Sequence, residues 1–295
     1  MKKSLTTGLI LQARIDSSRL PRKALLDLGD KPLIFRVMEA LLHVPVEYHI
    51  LACPADAVEA FRPLAKDAGF HLFVGDKENV LSRYVGAARA FDLDIIVRAT
   101  GDNPFVFSDG ATRLLYETMR CGADYGAYGG LPYGAGVEVV RREALERALR
   151  EAETAYDREH VCPYLYTHPE FFYLHRPLAP RLWRDSQLRL TVDTQADYEW
   201  ARILYEALSQ DPLVQQKTEL RYTGKVIRRV ARFLDSGDSS AGKFSLSDAS
   251  VQGACENGGT PFKKAESAPE LPEGQRSGGL DKPVVPSSAG QRGAL

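Results

Sequence analysis

The sequence predicts an α/β sandwich built on a mostly parallel sheet. Through about the first two-thirds of the 295 residues, short apolar runs alternate with segments of helical periodicity. One run, "LDIIVRATGD" at 93–102, is apolar almost without a break, as expected of a strand covered on both faces. Ligands of such sheets bind outside the carboxyl ends of the strands, so the residues just past each strand are the ones to watch.

The elements follow in order. "GLILQA" is a buried strand, and "KPLIFRVMEALL" is a helix with Leu33, Val37 and Leu41 at helical spacing and Pro32 in the first turn. "EYHILACP" is a second strand, "PLAKDAG" a short helix stopped at Gly69, and "HLFVGD" a third strand. "NVLSRYVGAARAF" is a helix with Val80, Tyr84, Ala87 and Ala88 on one face. After the fourth strand, "SDGATRLLYETMRCG" is a helix capped near Ser108 or Asp109. "YGAYGGLPYGAGVEVV" passes from a Gly- and Tyr-rich loop into a strand, and "RREALERALREAE" is helical. "REHVCPYLYTHPEFFYLHRPL" mixes a short helix with a strand, and "LRLTVDT" reads as one more strand. "QADYEWARILYEAL" and "GKVIRRVARFLD" are the closing helices. The folded domain is thus expected at 1–235. From 236 to 295 the Ser, Gly, Ala and Pro content leaves too few apolar clusters to repay ordering, so a disordered tail is expected there.

Composition narrows the function. The formal net charge is -1 and hydrophobic residues make up 44%. That supports a sizeable core and argues against a nucleic-acid binder, while leaving room for a local basic pocket for a phosphorylated small molecule. Cys53, Cys121, Cys162 and Cys255 form no CxxC pair, and His43, His49, His71, His168 and His175 show no metal spacing. The amino-terminal apolar run is cut by Gln12 and Arg14, and no run approaches a membrane span. A cytoplasmic protein without a membrane partner is expected.

Three features past strand ends could carry chemistry. "ARIDSSRLPRK" places Arg14, Arg19, Arg22 and Lys23 after the first strand, with Ser17 and Ser18 between them. A polyphosphate needs forked and point positive charges together with donors at such a place, although a solvated basic loop would look the same. Asp102 in "TGDNP" follows the fourth strand and could hold a divalent cation, or simply form a turn. Asp193 in "LTVDTQAD" could share that cation, or cap the following helix.

These blocks resemble the sugar cytidylyltransferases. "ARIDSSRLPRKALLDLGDKPLI" is similar to the family's opening "ARxxSxRLPGKxL…GKPLI", shared by the KDO cytidylyltransferases and the spore-coat polysaccharide type. "NVLSRYVGAARAFDLDIIVRATGDNPFV" looks most like the spore-coat type, and "GVEVVRREALERA", "REHVCPYLYTHPE" and "LTVDTQADYEWARILYE" follow in that family's order. The resemblance spans about residues 8–210. It implies a three-layer α/β/α sandwich with a mixed, mainly parallel sheet of the nucleotide-diphospho-sugar transferase type. It implies transfer of CMP from CTP to an acidic or phosphorylated sugar, with Mg2+ as cofactor, pyrophosphate as product and a homodimeric assembly. Arg14, Arg19 and Lys23 match the phosphate loop, with Ser18 beside them, and Asp102 and Asp193 match the magnesium carboxylates. Ala13 would lie near the base through its backbone.

Glu138 and His160 would face the sugar, against readings as an ordinary strand residue and a buried structural histidine. Two departures stand out: Arg22 replaces the family's glycine, and Asn103 stands where Cys or a small residue is commoner. A metal-dependent glycosyltransferase and a non-catalytic nucleotide-binding member of the fold are the competing readings.

Overall fold

The computed structural model describes residues 4–236, so the expected tail lies outside the described residues but for its first. The chain opens with β1 (Thr7–Gln12), a small antiparallel pair β2 (Asp27–Leu28) and β3 (Lys31–Pro32), then α1 (Leu33–Leu41) and β4 (Tyr48–Cys53). It continues through α2 (Val58–Asp67), β5 (His71–Val74), α3 (Val80–Ala90), β6 (Ile95–Thr100) and α4 (Ser108–Cys121). Next come β7 (Tyr125–Ala127), β8 (Glu138–Arg141), α5 (Arg142–Glu151), α6 (Ala155–His160), α7 (Pro163–Thr167) and β9 (Leu174–His175). The last elements are α8 (Gln195–Gln210), α9 (Pro212–Gln216) and α10 (Gly224–Asp235). No helix among the described residues is long and apolar enough to cross a membrane.

Seven strands form one sheet in the order β5-β4-β1-β6-β8-β7-β9. The pairs β5/β4, β4/β1, β1/β6 and β7/β9 are parallel, while β8 runs antiparallel to both β6 and β7. The sheet is therefore mixed and mainly parallel. Alternation along β1 makes the three layers. Leu9 and Leu11 join a core with residues of α1, α2, α4, α8 and α10, and Ile10 joins the opposite core with α3, α5 and α7. All three are fully buried, and each such side chain contributes about 1.5–3 kcal/mol of burial.

Three local readings change. The segment "LRLTVDT" is not a strand of the sheet. It is an extended strip in which Leu188, Leu190 and Val192 are buried at a spacing of two, attached by single bonds and an isolated bridge between Tyr133 and Arg189. The two-residue apolar period is satisfied by docking these three side chains, without a ladder, while Thr191 between them is buried as well. The stretch 155–175 holds two short helices before its strand instead of one. Neither Ser108 nor Asp109 caps α4, whose cap is Phe107. Asp109 instead accepts from the backbone of Gly110 and of Gly224, tying α4 to the start of α10.

The strands that deliver the site are clasped from behind. Tyr84 of α3 is fully buried, and its hydroxyl points between the carbonyl oxygens of Ile10 on β1 (3.2 Å) and Ala99 on β6 (3.0 Å). Tyr84→Phe keeps the ring and removes the clasp. It should lower the unfolding free energy in urea by about 1 kcal/mol; an unchanged midpoint would show that the hydroxyl adds nothing.

Candidate active site

Strand register brings the first two features together. Gln12, the last residue of β1, lies opposite both Ala52 of β4 and Thr100, the last residue of β6. The Arg14–Lys23 loop and Asp102 therefore leave the sheet side by side. Gly101 lets them do so, because a Cβ there would lie 2.7 Å from Ile34 Cδ1 and 3.1 Å from the carbonyl of Gln12. The third feature arrives through the 188–193 strip. Tyr133 donates its backbone N–H to Leu188 O (3.0 Å), Leu190 to Tyr133 O (2.7 Å), and Val192 to Asp102 O (2.9 Å). Gly134, at φ +91°, makes room for it, since a Cβ there would lie 2.6 Å from the nitrogen of Thr191.

The three meet at one ammonium. Lys23 Nζ donates to Asp102 Oδ2 (3.0 Å), to Asp193 Oδ1 (2.9 Å) and to the carbonyl of Val192 (2.9 Å). Arg19 adds an ion pair to Asp193 Oδ1 at 3.1 Å, and Arg189 donates to Asp193 Oδ2 at 2.8 Å. Burial tends to raise the Asp193 carboxyl, but Lys23, Arg19 and Arg189 outweigh it and hold the group below its ordinary value. Asp102 is oriented by the Thr100 hydroxyl, which donates to Oδ1 at 2.7 Å, and Asn103 Nδ2 donates in turn to that hydroxyl at 2.8 Å.

Asp193 does not cap a helix. The cap of α8 is Thr194, in a reciprocal box with Asp197: Thr194 Oγ1 accepts from Asp197 N (3.2 Å), and Asp197 Oδ2 accepts from Thr194 N (2.9 Å) and Asp193 N (3.0 Å). Because its neighbour caps, the Asp193 side chain is available to Lys23.

The cleft around this point has a volume of about 750 Å³ and is also lined by Ala13, Arg14, Ser18, Glu138 and His160. Arg14 is largely exposed, 3.8 Å from Glu159. His160 is exposed at the end of α6 with its ring against Tyr156, so it is not a buried structural histidine. Glu138 is not an ordinary solvent-facing strand residue. One oxygen accepts from the Tyr125 hydroxyl at 2.6 Å and the other from Arg98, whose second nitrogen donates to Gln12 Oε1 at 3.3 Å. This brace was legible only as an anomaly, the charged Arg98 within the apolar strand "IIVRAT".

Arg22 explains itself through the backbone. It has φ 53° and ψ 29°, the left-handed region, and leads into a single turn at Lys23–Leu25. Its side chain is exposed and outside the cleft lining. The buried Leu20 and Ala24 anchor the loop on either side, so the turn at 22 is what aims Lys23 inward.

Lys23 sits where a divalent cation could. Among the described residues no group of three or more His, Cys, Asp or Glu side chains gathers, so an ion here would rest on two carboxylates. Two carboxylate oxygens already converge on one positive centre, a hard oxygen set that suits Mg2+, which takes one or two carboxylates and fills its remaining positions with phosphate and water.

The sheet is mixed and mainly parallel with the cleft at its strand ends, and solved structures share this α/β fold. A cytidylyltransferase from Leptospira borgpetersenii superposes with a TM-score of 0.70 at 24% identity, covering 79% of this chain and 96% of that one. A CMP:2-keto-3-deoxy-manno-octonic acid synthetase complexed with CTP superposes with a TM-score of 0.53 at 20% identity, covering 68% and 98%. Residues 9–227, well over half of the chain, match the family model described as Cytidylyltransferase. The spore coat polysaccharide biosynthesis protein SpsF of Bacillus subtilis is 32% identical over 211 residues, 69% of this chain and 88% of its own length. The chain belongs to the cytidylyltransferase family and is an enzyme of that class.

Two outcomes follow from this geometry. Glycine at 22 removes a left-handed cost of about 1–2 kcal/mol and adds about 0.4–1 kcal/mol of unfolded-chain entropy. Arg22→Gly should therefore keep or raise the melting temperature, whereas Arg22→Val should lower it. The second concerns acid. Burial tends to raise the Asp197 carboxyl, but Arg189 and the backbone donors of Asp193 and Thr194 prevail, bringing it from an ordinary 3.8 to about 2. A lowered folded-state value gives stability that is complete above the unfolded value and is lost as pH falls through the folded one. Unfolding free energy should thus drop between about pH 4 and pH 2, and Asp197→Asn should flatten that part of the curve.

Proposed function

We propose that this enzyme transfers CMP from CTP to an acidic or phosphorylated sugar, releasing pyrophosphate, with Mg2+ as cofactor, in the synthesis of a surface polysaccharide or another glycan precursor. The observation that supports this most directly is the meeting of Lys23, Asp102 and Asp193 beside the Arg14–Arg19 loop. In this reading an oxygen of the sugar attacks the α-phosphorus, the bond from that phosphorus to the α,β-bridging oxygen breaks, and pyrophosphate leaves with the electron pair.

Such transfer depends on positioning and on neutralising charge on the phosphoryl oxygens. Arg14, Arg19 and Lys23 take the β- and γ-phosphates and stabilise the departing pyrophosphate. The two arginines are well exposed at the cleft mouth, where a triphosphate can reach them. Asp102 and Asp193 would hold Mg2+, which would supply charge neutralisation to the phosphoryl oxygens. Ser18 and the backbone of Ala13 complete the nucleotide side. Glu138 and His160 face the sugar. Both Glu138 oxygens already accept a bond, but a carboxylate has lone pairs for about four, so a sugar hydroxyl can still be received.

The test is pyrophosphate release from CTP, with UTP as control, against a panel of sugar acids and sugar phosphates. Wild-type protein should release pyrophosphate from CTP with one class of acceptor and lose the activity on chelation of divalent ions. Asp102→Asn should abolish turnover with its melting curve intact. Near-normal turnover in that variant would sink the metal-carboxylate assignment. Release of a nucleoside diphosphate from a nucleotide-sugar, with no pyrophosphate from CTP, would sink the reaction.

A further inference from the structure

The buried charged residues among the described residues are Arg36, Arg83, Asp185 and Asp211. Arg36 pairs with Asp30 and Glu39, Asp185 with Arg228 and Arg232, and Asp211 with Arg229. Arg83 alone makes no ion pair. It is 3% exposed, and its Nε and Nη1 are buried with no hydrogen-bond partner. A guanidinium with two buried donors unpaired is expensive, and such a group in a native structure calls for an explanation, a bound ion or a functional role among them.

Its surroundings offer no hidden partner. The aliphatic stem lies against Gly75, where a Cβ would come within 2.8 Å of Arg83 Cγ. Asp76 is the nearby carboxylate, yet it makes no ion pair with Arg83, and its Oδ1 accepts from the backbone of Glu78 (2.8 Å) and Asn79 (2.7 Å). Cys53 and Tyr84 stay neutral, because burial raises the thiol to about 11 and raises the phenol as well. The other charge felt by Arg83 is Arg14, which repels it. Burial, with Arg14 adding to it, weakens the guanidinium's hold on its proton. Arg83 and Arg14 both line the cleft already described.

We infer that Arg83, together with Arg14, forms a further oxyanion subsite of this cleft, taking a phosphate or carboxylate oxygen of a bound substrate. An anion there would remove the repulsion between the two guanidinium groups and supply the acceptors that Arg83 lacks. The loop of positive residues after β1 would then not be the whole anion site, since the amino-terminal half of α3 would contribute to it. The inference rests on the reading that the cleft holds a nucleotide and an acidic sugar.

Arg83→Met, which keeps much of the volume and removes the charge, separates function from structure. Its melting temperature should equal or exceed that of the wild type, because an unpaired buried charge has gone. At the same time CTP affinity by calorimetry, or the KM of an acceptor that supports pyrophosphate release, should worsen at least about tenfold. Loss of CTP affinity with cytidine binding unchanged assigns the subsite to the nucleotide phosphates, whereas unchanged CTP affinity with a raised acceptor KM assigns it to the sugar's acid group. Arg83→Lys should recover part of the loss. CTP affinity and acceptor KM both left unchanged in Arg83→Met would overturn the inference, as would a melting temperature several degrees lower with activity intact. A wild-type protein that binds no CTP would instead defeat the function proposed above. In that case, weaker binding of inorganic pyrophosphate by Arg83→Met would still uphold the subsite.

Discussion

The contact on which the site depends is the Lys23 ammonium shared by Asp102, Asp193 and the carbonyl of Val192. Its three acceptors come from two parts of the chain, and the lysine itself comes from a third. Two carboxylates directed at one place repel each other, and a common cation turns that repulsion into cohesion. With only 16% of its side chain exposed, Lys23 sits where the interaction is screened less than at the surface. The same balance makes the point suited to changing occupants. The oxygens that hold an ammonium are those that would hold a divalent ion, and Lys23 would then be free for phosphate.

Around that point the cleft is built by uneven means. The 14–23 loop is pinned by burial of Leu20 and Ala24, and a left-handed arginine sets its direction. Its tip is tethered by Lys77, which donates to Asp16 and Asp56 at 2.5 Å each, although exposed pairs of this kind contribute little to stability. The wall formed by β6, β7 and β8 is stiffer, because Gln12, Arg98, Glu138 and Tyr125 form one continuous chain of bonds. A basic loop held mainly by burial thus faces a wall braced by hydrogen bonds.

Much of this was legible in the sequence. The β1, β4, β5 and β6 runs, and the helices between them, follow from hydrophobic periodicity and stop residues. The places of the 14–23 loop and Asp102 follow from the strand-end rule once the sheet is taken as parallel. Less legible were the features that answer to partners far along the chain. Asp193 left two readings open, a cation ligand or a helix cap, because its neighbours were not assigned; Thr194 and Asp197 take the capping work. Glu138 could equally be read as an ordinary strand residue facing solvent, because its partners, Arg98 and Tyr125, are 40 and 13 residues away. Arg83 stands inside the block that resembles the spore-coat type, but an arginine in a helical pattern shows nothing of its role until its burial and the lack of an ion pair are known.

The sequence by itself determined the alternation of strands and helices, the layering of the core, and the residue types delivered to the strand ends. All of these rest on periods of two or about 3.6 residues that are written locally. Only the tertiary structure decided which delivered groups meet. The register of Gln12 against Thr100, the docking of the 188–193 strip on Asp102, and the burial of Arg83 without an ion pair depend on contacts between residues distant in the chain. Those are set by packing and by the pairing of buried polar groups, which no local pattern encodes.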